Sequence, residues 1–433
     1  MAQFFGSAAK AWNRGRQAAS RGYTAVAGLP VFRAAKHRDF RLLWIGAMFS
    51  FTGTQIQRIA EGFLVYDLTG DTAKLAFIMF ANMVPVSFLG PIFGVFADVI
   101  DRRKIMVAAM VILAAGSAFL GVASHFGFLQ YWHIVAFAFL SGFVLTVEAP
   151  SRMSIVREVV PVEDFATAVP TMSMTFNVAR VAGPAIGGVL AGLYGAESCF
   201  WINSVSFFAL IIAALAIRTD LSAKEREPQP VRDLLTEGML YTLRDRALLT
   251  LFILESVTSF FGIFYISLMP AIAKDILHLG EAGLGAAMSS VGIGALGGLI
   301  LLASISHKPY KALMIRVSMT CFAVAMVLLT FVRTPLLAFP LFSVLGACTI
   351  VQFNTTNTLF QLISPARLRG RVLSMHMWAI SGVAPFGIML FGWISRGWNL
   401  DYAFMIGGGA VAVGAVASWL FRQFVYEPET VAA

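Results

Sequence analysis

The sequence predicts an all-α membrane protein with twelve transmembrane helices arranged in two six-helix halves. Composition is the first reason, because 58% of the residues are hydrophobic and only 13% are charged, about half the charged share of a soluble domain. Long apolar runs separated by short charged loops are the second, and an internal repeat is the third. The runs are continuous rather than alternating, which excludes a transmembrane β-barrel.

Twelve runs are long enough to span a bilayer, whose hydrocarbon core of about 30 Å needs about 20 apolar residues per helix. In chain order the expected spans are 42–66, 75–97, 105–126, 129–147, 165–194, 199–217, 247–273, 282–306, 313–332, 335–363, 372–394 and 402–421. No element of this pattern predicts a separate soluble domain.

The distribution of basic residues predicts the orientation. With the N-terminus in the cytoplasm, twenty-six of the 32 lysines and arginines fall on the cytoplasmic side, as the positive-inside bias requires. The four on the outer side are Lys74, Lys274, Arg333 and Arg396. The formal net charge of +9 therefore reflects topology and contact with membrane lipid, and no nucleic-acid partner is expected.

The repeat divides the chain. Three pairs of residues keep one offset of 204 positions, and they are Gly94 with Gly298, Gly142 with Gly346, and Pro161 with Pro365. Parallel six-helix halves give such an offset. The expected organisation is a basic N-terminal segment at 1–40, a first half at 41–217, a cytoplasmic linker with an amphipathic helix at 218–246, a second half at 247–424 and a cytoplasmic tail at 425–433.

Several function classes are not expected. The basic segment reads as cytoplasmic rather than as an organellar transit peptide, which is the alternative for an arginine-rich and acid-poor start. The three cysteines lie singly in apolar runs, and the six histidines have no metal-ligand spacing, so neither disulfide, metal nor cofactor is expected. A phosphate-binding loop is missing from the sequence, so ATP is not the expected energy source.

Residues 94–104, with Gly94, Asp98, Arg102 and Arg103, lie between the second and third spans. They resemble the loop signature of the major facilitator superfamily. Residues 57–70, 150–152, 176–188 and 367–372 look like those of the bacterial branch that contains the enterobactin exporter and macrolide-efflux proteins. Gly183 and Pro184 are similar to the family's helix-five export motif.

The resemblance implies an exporter of the bacterial inner membrane that works by alternating access, and a monomer is the default expectation for its oligomeric state. Its small amphipathic cargo is expected to be drug-like or siderophore-like and to leave in exchange for protons. An importer or a lipid-type flippase on the same scaffold is the alternative. A membrane enzyme or a sensor is the rival from another class, but the chain has neither a catalytic cluster nor a soluble signalling region.

Charges inside spans are expensive, so they are functional candidates. Arg58, Glu61, Arg180 and Glu255 lie inside spans. The resemblance implies a central cavity between helices one, four, seven and ten, which is expected to receive Arg58, Glu61 and Glu255. Glu255 is expected to carry the proton, or else to neutralise an arginine across the cavity.

The remaining candidates have two interpretations each. Arg58 and Glu61, three residues apart, are either a neutralised pair or a substrate or coupling site. Arg180, with Asn177 one turn earlier, forms a salt bridge to Glu61 or faces the cavity. The amides of helix ten bind a solute or a neighbouring helix, with solute contact expected, and they are Gln352, Asn354, Asn357 and Gln361. Conformational gating is expected of Gly94, Asp98, Arg102, Arg103, Gly183 and Pro184.

Overall fold

The computed structural model describes residues 30–222, 231–305 and 310–420, with only the backbone of 30–32, 91–99 and 231–236. The first half contains α1 (Arg38–Thr69), α2 (Thr72–Val99), α3 (Arg102–His125), α4 (Tyr131–Val159), α5 (Val162–Tyr194) and α6 (Ala196–Ala216). The linker helix is α7 (Val231–Arg244). The second half contains α8 (Arg246–Gly262), α9 (Glu281–Ile305), α10 (Lys311–Leu329), α11 (Pro335–Ile363), α12 (Arg369–Ser381), α13 (Ala384–Gly397) and α14 (Leu400–Leu420).

The expected all-α membrane fold is confirmed. Within the described ranges, 11 helical stretches are long and apolar enough to cross a membrane. The span carrying Arg58 and Glu61 is not among them, because its charged and amide side chains lower its hydropathy. This helix, α1, has 32 residues and packs between α5 and α6, which completes twelve spans.

Aspartates begin several of these helices. Asp71 accepts hydrogen bonds from the backbone N–H groups of Ala73 and Lys74 at 2.9 and 3.4 Å, and so caps α2. Asp101 and Asp245 cap α3 and α8 in the same way. Each cap satisfies N–H groups that a helix leaves unpaired at its first turn. Short loops with aspartate before an apolar run therefore set the helix boundaries.

Spans seven and eleven are each broken, although the sequence predicts them as continuous helices. After α8 come two short helical turns, Phe264–Ser267 and Met269–Ala271, and a π-helical turn at Ile272–Ile276. Gly382 and Val383 separate α12 from α13. Pro270 and Pro385 lie next to the breaks and have no N–H to continue the helical hydrogen bonds.

The two halves meet through glycines in two symmetric pairs of helices. Gly188 of α5 packs on α9, where an added Cβ would lie 2.6 Å from Glu281 O and 2.9 Å from Gly285 Cα. Gly392 of α13 packs on Ala76 of α2 in the same manner. Small residues let membrane helices approach to backbone contact, so span five meets span eight and span eleven meets span two.

Candidate functional site

A cavity of about 400 Å³ lies inside the bundle. Most of its wall comes from α1 to α6, and the turns after α8 and the start of α9 complete it. Apolar side chains dominate the wall, and the larger ones are Phe51, Phe137, Phe176, Phe207, Met79, Met110 and Met288. Such a wall suits the apolar part of a small molecule. Five charged residues interrupt it, and they are Arg58, Glu61, Glu148, Arg152 and Arg180.

Arg58 and Glu61 both line the cavity, as expected. They do not bond each other, and each is hydrogen-bonded to a different glutamine. Arg58 Nη1 donates to Gln55 Oε1 at 3.3 Å. Glu61 Oε1 accepts from Gln57 Nε2 at 2.6 Å. Among the described residues the two form no ion pair within 4.0 Å, so the neutralised pair is not observed in direct contact.

A buried amide chain orients Glu61. Asn203 of α6 donates from Nδ2 to Gln57 Oε1 at 2.7 Å. Gln57 in turn donates from Nε2 to Glu61 Oε1. Asn203 and Gln57 are 1% and 2% exposed. Sequence reasoning did not find this chain, since its members are 146 residues apart and amides in a span have no distinctive spacing.

Glu148 and Arg152 form a second charged group on the cavity wall. Arg152 Nη2 lies 3.5 Å from Glu148 Oε2, one turn away on α4. The Arg152 guanidinium also stacks 4.4 Å from the centre of the Phe51 ring. Glu148 is 1% exposed, and its Oε1 has no hydrogen-bond partner among the described residues. This pair neutralises itself, because both charges lie on one helix face.

Arg180 is the cavity cation without a partner. In the part of the chain that the structure describes, its side chain makes neither a hydrogen bond nor an ion pair, and the expected salt bridge to Glu61 does not form. The structure instead bears out the alternative, in which Arg180 faces the cavity. Asn177 lies off the cavity wall and donates to Ser173 O of its own helix at 2.8 Å.

Glu255 lies away from the cavity, so its expected position on the wall is wrong. Its side chain is fully buried, and its Oε2 lies 2.8 Å from Nδ1 of His376 on α12. His376 is 3% exposed, and no residue that the structure describes hydrogen-bonds Glu255 Oε1. Helical periodicity shows which residues share a face of α8, but not which neighbour that face meets. The sequence therefore could not show that Glu255 faces α12.

The helix-ten amides contact protein rather than the cavity, which corrects the expectation of solute contact. Gln352 is fully buried and donates from Nε2 to Thr258 Oγ1 at 3.0 Å on α8. Asn354 donates to Ile350 O of its own helix at 2.9 Å. Asn357 Oδ1 accepts from Gln361 Nε2 at 2.5 Å. A buried amide gains most by bonding a neighbouring helix, since lipid offers no partner.

Arg102 and Arg103 hold the start of the linker. Arg102 Nη1 donates to Ser222 O at 3.1 Å, and Arg103 Nη2 donates to Ile217 O at 2.7 Å and Thr219 O at 3.1 Å. These three carbonyls lie at the end of the first half and the start of the linker. Gly94 and Asp98 fall in the stretch described by its backbone only, so the side-chain predictions for them lie outside the described residues.

Gly183 and Pro184 lie where α5 meets two neighbours. A Cβ at Gly183 would collide with Gln55 of α1, and a Cβ at Gly285 of α9 would collide with Pro184 O. Pro184 also lines the cavity. Their position at both the cavity wall and the contact between halves is compatible with the predicted gating role, which stays a prediction.

Polar contacts join the two halves near the turn between α1 and α2, beyond the cavity residues Gly62 and Pro270. Lys274 Nζ lies 2.7 Å from Asp67 Oδ1, and Tyr66 OH donates to Asp275. Arg396 Nη1 lies 3.4 Å from Asp71 Oδ2. All of these residues lie near the turn between α1 and α2 or opposite it.

The linker helix is bound to the second half. Glu237 of α7 pairs with Arg367 at 2.9 Å and also contacts Arg371, and Gly238 packs on the backbone of Arg371. The start of the linker belongs to the first half through Arg102 and Arg103. The two described ends of the linker therefore attach to different halves.

Comparison with known families places the chain. Residues 31–432 match the model of a major facilitator family described as transmembrane secretion effector. The chain belongs to this family. Its sequence is 20% identical over 391 residues to macrolide efflux protein A of Streptococcus pyogenes, covering 89% of this chain and 96% of that protein.

Two further similarities support the same assignment. The staphyloferrin A transporter of Staphylococcus aureus is 22% identical over 344 residues, covering 78% of this chain and 85% of the relative. The crystal structure of the nucleoside transporter NupG aligns with a TM-score of 0.74 at 12% identity, covering 89% of this chain and 99% of that one. At that identity the structural likeness establishes the fold alone, and the family match establishes a membrane transporter.

Proposed function

We propose that this chain is a proton-driven exporter of small amphipathic molecules, drug-like or siderophore-like, that works as a monomer by alternating access. Its place is the bacterial inner membrane, with both termini in the cytoplasm. The observation that carries the proposal is the apolar cavity of about 400 Å³ with charged groups deep inside a twelve-span bundle. The names of the relatives, a macrolide efflux protein and a siderophore transporter, support the cargo class.

The polar contacts between the halves near the turn between α1 and α2 support export as the direction of transport. In the proposed orientation the turn between α1 and α2 faces outward, so the contacts Lys274–Asp67 and Arg396–Asp71 seal the outer side. An exporter takes up its cargo in a state of this kind. Rocking of the halves about their glycine contacts would then break these ion pairs and open the cavity outward.

The buried pair Glu255–His376 is the proposed proton site. The Glu255 carboxyl and the His376 imidazole lie 2.8 Å apart and share a hydrogen bond, so gain or loss of a proton by the pair changes its net charge. Inside a membrane such a change of charge is expensive. Both partners lie on α8 and α12, the helices that end at the breaks, so a change in their charge acts where the helices can bend.

The test is transport in inverted membrane vesicles, whose interior corresponds to the outside of the cell. Within a panel of radiolabelled drug-like and siderophore-like compounds, the cargo should accumulate when the vesicle lumen is acidified, and a protonophore should abolish the accumulation. Vesicles without the protein give the background. Uptake into right-side-out vesicles instead would make the protein an importer, and no accumulation under any gradient would refute proton-driven transport.

A further inference from the structure

The charges on the cavity wall do not cancel. Three arginines and two glutamates line it, so the wall carries a formal excess of one positive charge. Glu148 and Arg152 neutralise each other. The excess therefore belongs to the group formed by Arg58, Glu61 and Arg180, which we call the cationic patch.

Hydrogen bonding within the cationic patch is uneven. Glu61 is well bound, through a 2.6 Å bond from Gln57. Arg58 has one long bond of 3.3 Å to an amide oxygen, and Arg180 makes no hydrogen bond to any of the described residues. Arg58 and Arg180 also repel each other electrostatically. Two guanidinium groups with ten N–H donors between them thus have a single protein acceptor.

The rest of the wall supplies the complementary apolar surface. Phe51 and Phe176 pack edge to face with ring centres 5.5 Å apart, and both line the cavity with the cationic patch. A guanidinium favours a planar acid group, which it binds through two parallel hydrogen bonds. The charge excess is relieved only by an anion, whereas a cationic ligand would add to the repulsion.

We propose that the cargo is an anionic amphipath, with a carboxylate that binds Arg58 and Arg180 and an aromatic or aliphatic body that packs against the phenylalanines. This narrows the cargo class of the proposed function and rests on that function. Among the described residues, Glu61 forms no ion pair within 4.0 Å with either arginine and bonds Gln57 instead, so it does not occupy their N–H donors. It positions Arg58 through charge attraction.

Binding is tested with the full chain in lipid nanodiscs and without a gradient. The probes are 4-phenylbenzoate, 4-phenylbenzamide and 4-phenylbenzylamine, which share one ring system and differ in charge. The same three head groups on naphthyl and decyl bodies make the result independent of one shape. Empty nanodiscs give the partition into lipid. We expect each acid to bind at least about tenfold more tightly than its amide, because charged hydrogen bonds exceed neutral ones.

Variants locate the effect. Arg180→Gln and Arg58→Gln should each reduce the preference for acid over amide, and the double variant should abolish it. Arg333→Gln is the matched control, because Arg333 pairs with Asp401 outside the cavity, and it should keep the preference. The proposal is overturned if no acid binds more tightly than its amide, if an amine binds most tightly, or if the preference survives in the double variant.

The binding result is independent of transport. Acid-selective binding without export in vesicles would refute the proposed function and leave the charge preference standing. Export of neutral or cationic compounds alone, without acid-selective binding, would do the reverse.

Discussion

His376 Nδ1 lies 2.8 Å from Glu255 Oε2, and both side chains are buried between α8 and α12, away from the cavity. This places a titratable pair and a ligand-sized cavity in separate parts of one bundle. Separate sites allow the proposed proton and the cargo to be bound at the same time, and the proposed coupling would then pass through movement of the helices that carry the pair.

Glu255→Gln should abolish proton-driven transport, because the glutamine amide does not bind and release a proton as a carboxyl does. Cargo binding should stay intact, because residue 255 does not line the cavity. The measurement is cargo accumulation in acid-loaded inverted vesicles beside binding in nanodiscs. A second contact between glutamate and histidine serves as control. Glu197 and His125 lie 3.4 Å apart at the surface, so Glu197→Gln should transport normally. Normal gradient-driven export by Glu255→Gln would remove that residue from coupling.

Gln352→Leu should leave transport nearly unchanged and lower thermal stability slightly. Gln352 bonds Thr258 across to α8, and such polar contacts between membrane helices contribute about 0.6 kcal/mol on average. Thermal unfolding in detergent and vesicle transport are the two readouts. A transport defect larger than the loss of folded protein would show that the amide contacts cargo after all.

Gly188→Ala should destabilise the contact between the halves. Its Cβ would meet the backbone of α9 at 2.6 to 2.9 Å, which a flexible side chain cannot relieve, and overpacking of this kind costs about 1–3 kcal/mol. Gly192→Ala is the control one turn later on α5, where nothing lies within 4 Å of an added Cβ. Equal melting temperatures for the two variants would contradict the close packing of α5 on α9.

Asp67→Asn should weaken the contact between the two halves near the turn between α1 and α2. Asp67 pairs with Lys274 of the other half at 2.7 Å, but both side chains are partly exposed, so the contribution is about 0.2–1 kcal/mol. In a cysteine-free background with Ile78→Cys on the cavity wall, an impermeant maleimide added from the outer side should react up to about fivefold faster.

The matched control is Asp401→Asn, which breaks the exposed 2.7 Å pair with Arg333 inside one half. It should leave the labelling rate unchanged. If both variants label alike, the Lys274–Asp67 pair does not hold the halves together.

An anionic cargo makes transport sensitive to membrane potential. A proton entering and an anion leaving both move positive charge inward, and each charge contributes about 2.3 kcal/mol per 100 mV. Export of a carboxylate should therefore rise in inverted vesicles when potassium and valinomycin make the lumen positive, at constant pH on both sides. If the rate of export does not depend on the membrane potential, the exchange of an inward proton for an outward anion is refuted.

Sequence reasoning found the span pattern and three of the five charged residues of the cavity wall, Arg58, Glu61 and Arg180, because a charge in lipid is costly enough to stand out in one span. It misplaced Glu255, since spacing along a helix does not fix which way the helix is turned. The partners His376, Gln57 and Asn203 were also missed. Their contacts depend on how distant helices pack, which the sequence of one helix does not encode.

The separation of the cavity wall from the buried Glu255–His376 pair has an evolutionary consequence. Most of the wall belongs to α1–α6, whereas the pair belongs to α8 and α12. Substitutions among the wall phenylalanines and methionines can change which compounds fit without disturbing the pair. Natural evolution or protein engineering could therefore change which compounds the cavity binds while the Glu255–His376 pair, the proposed proton site, stays the same.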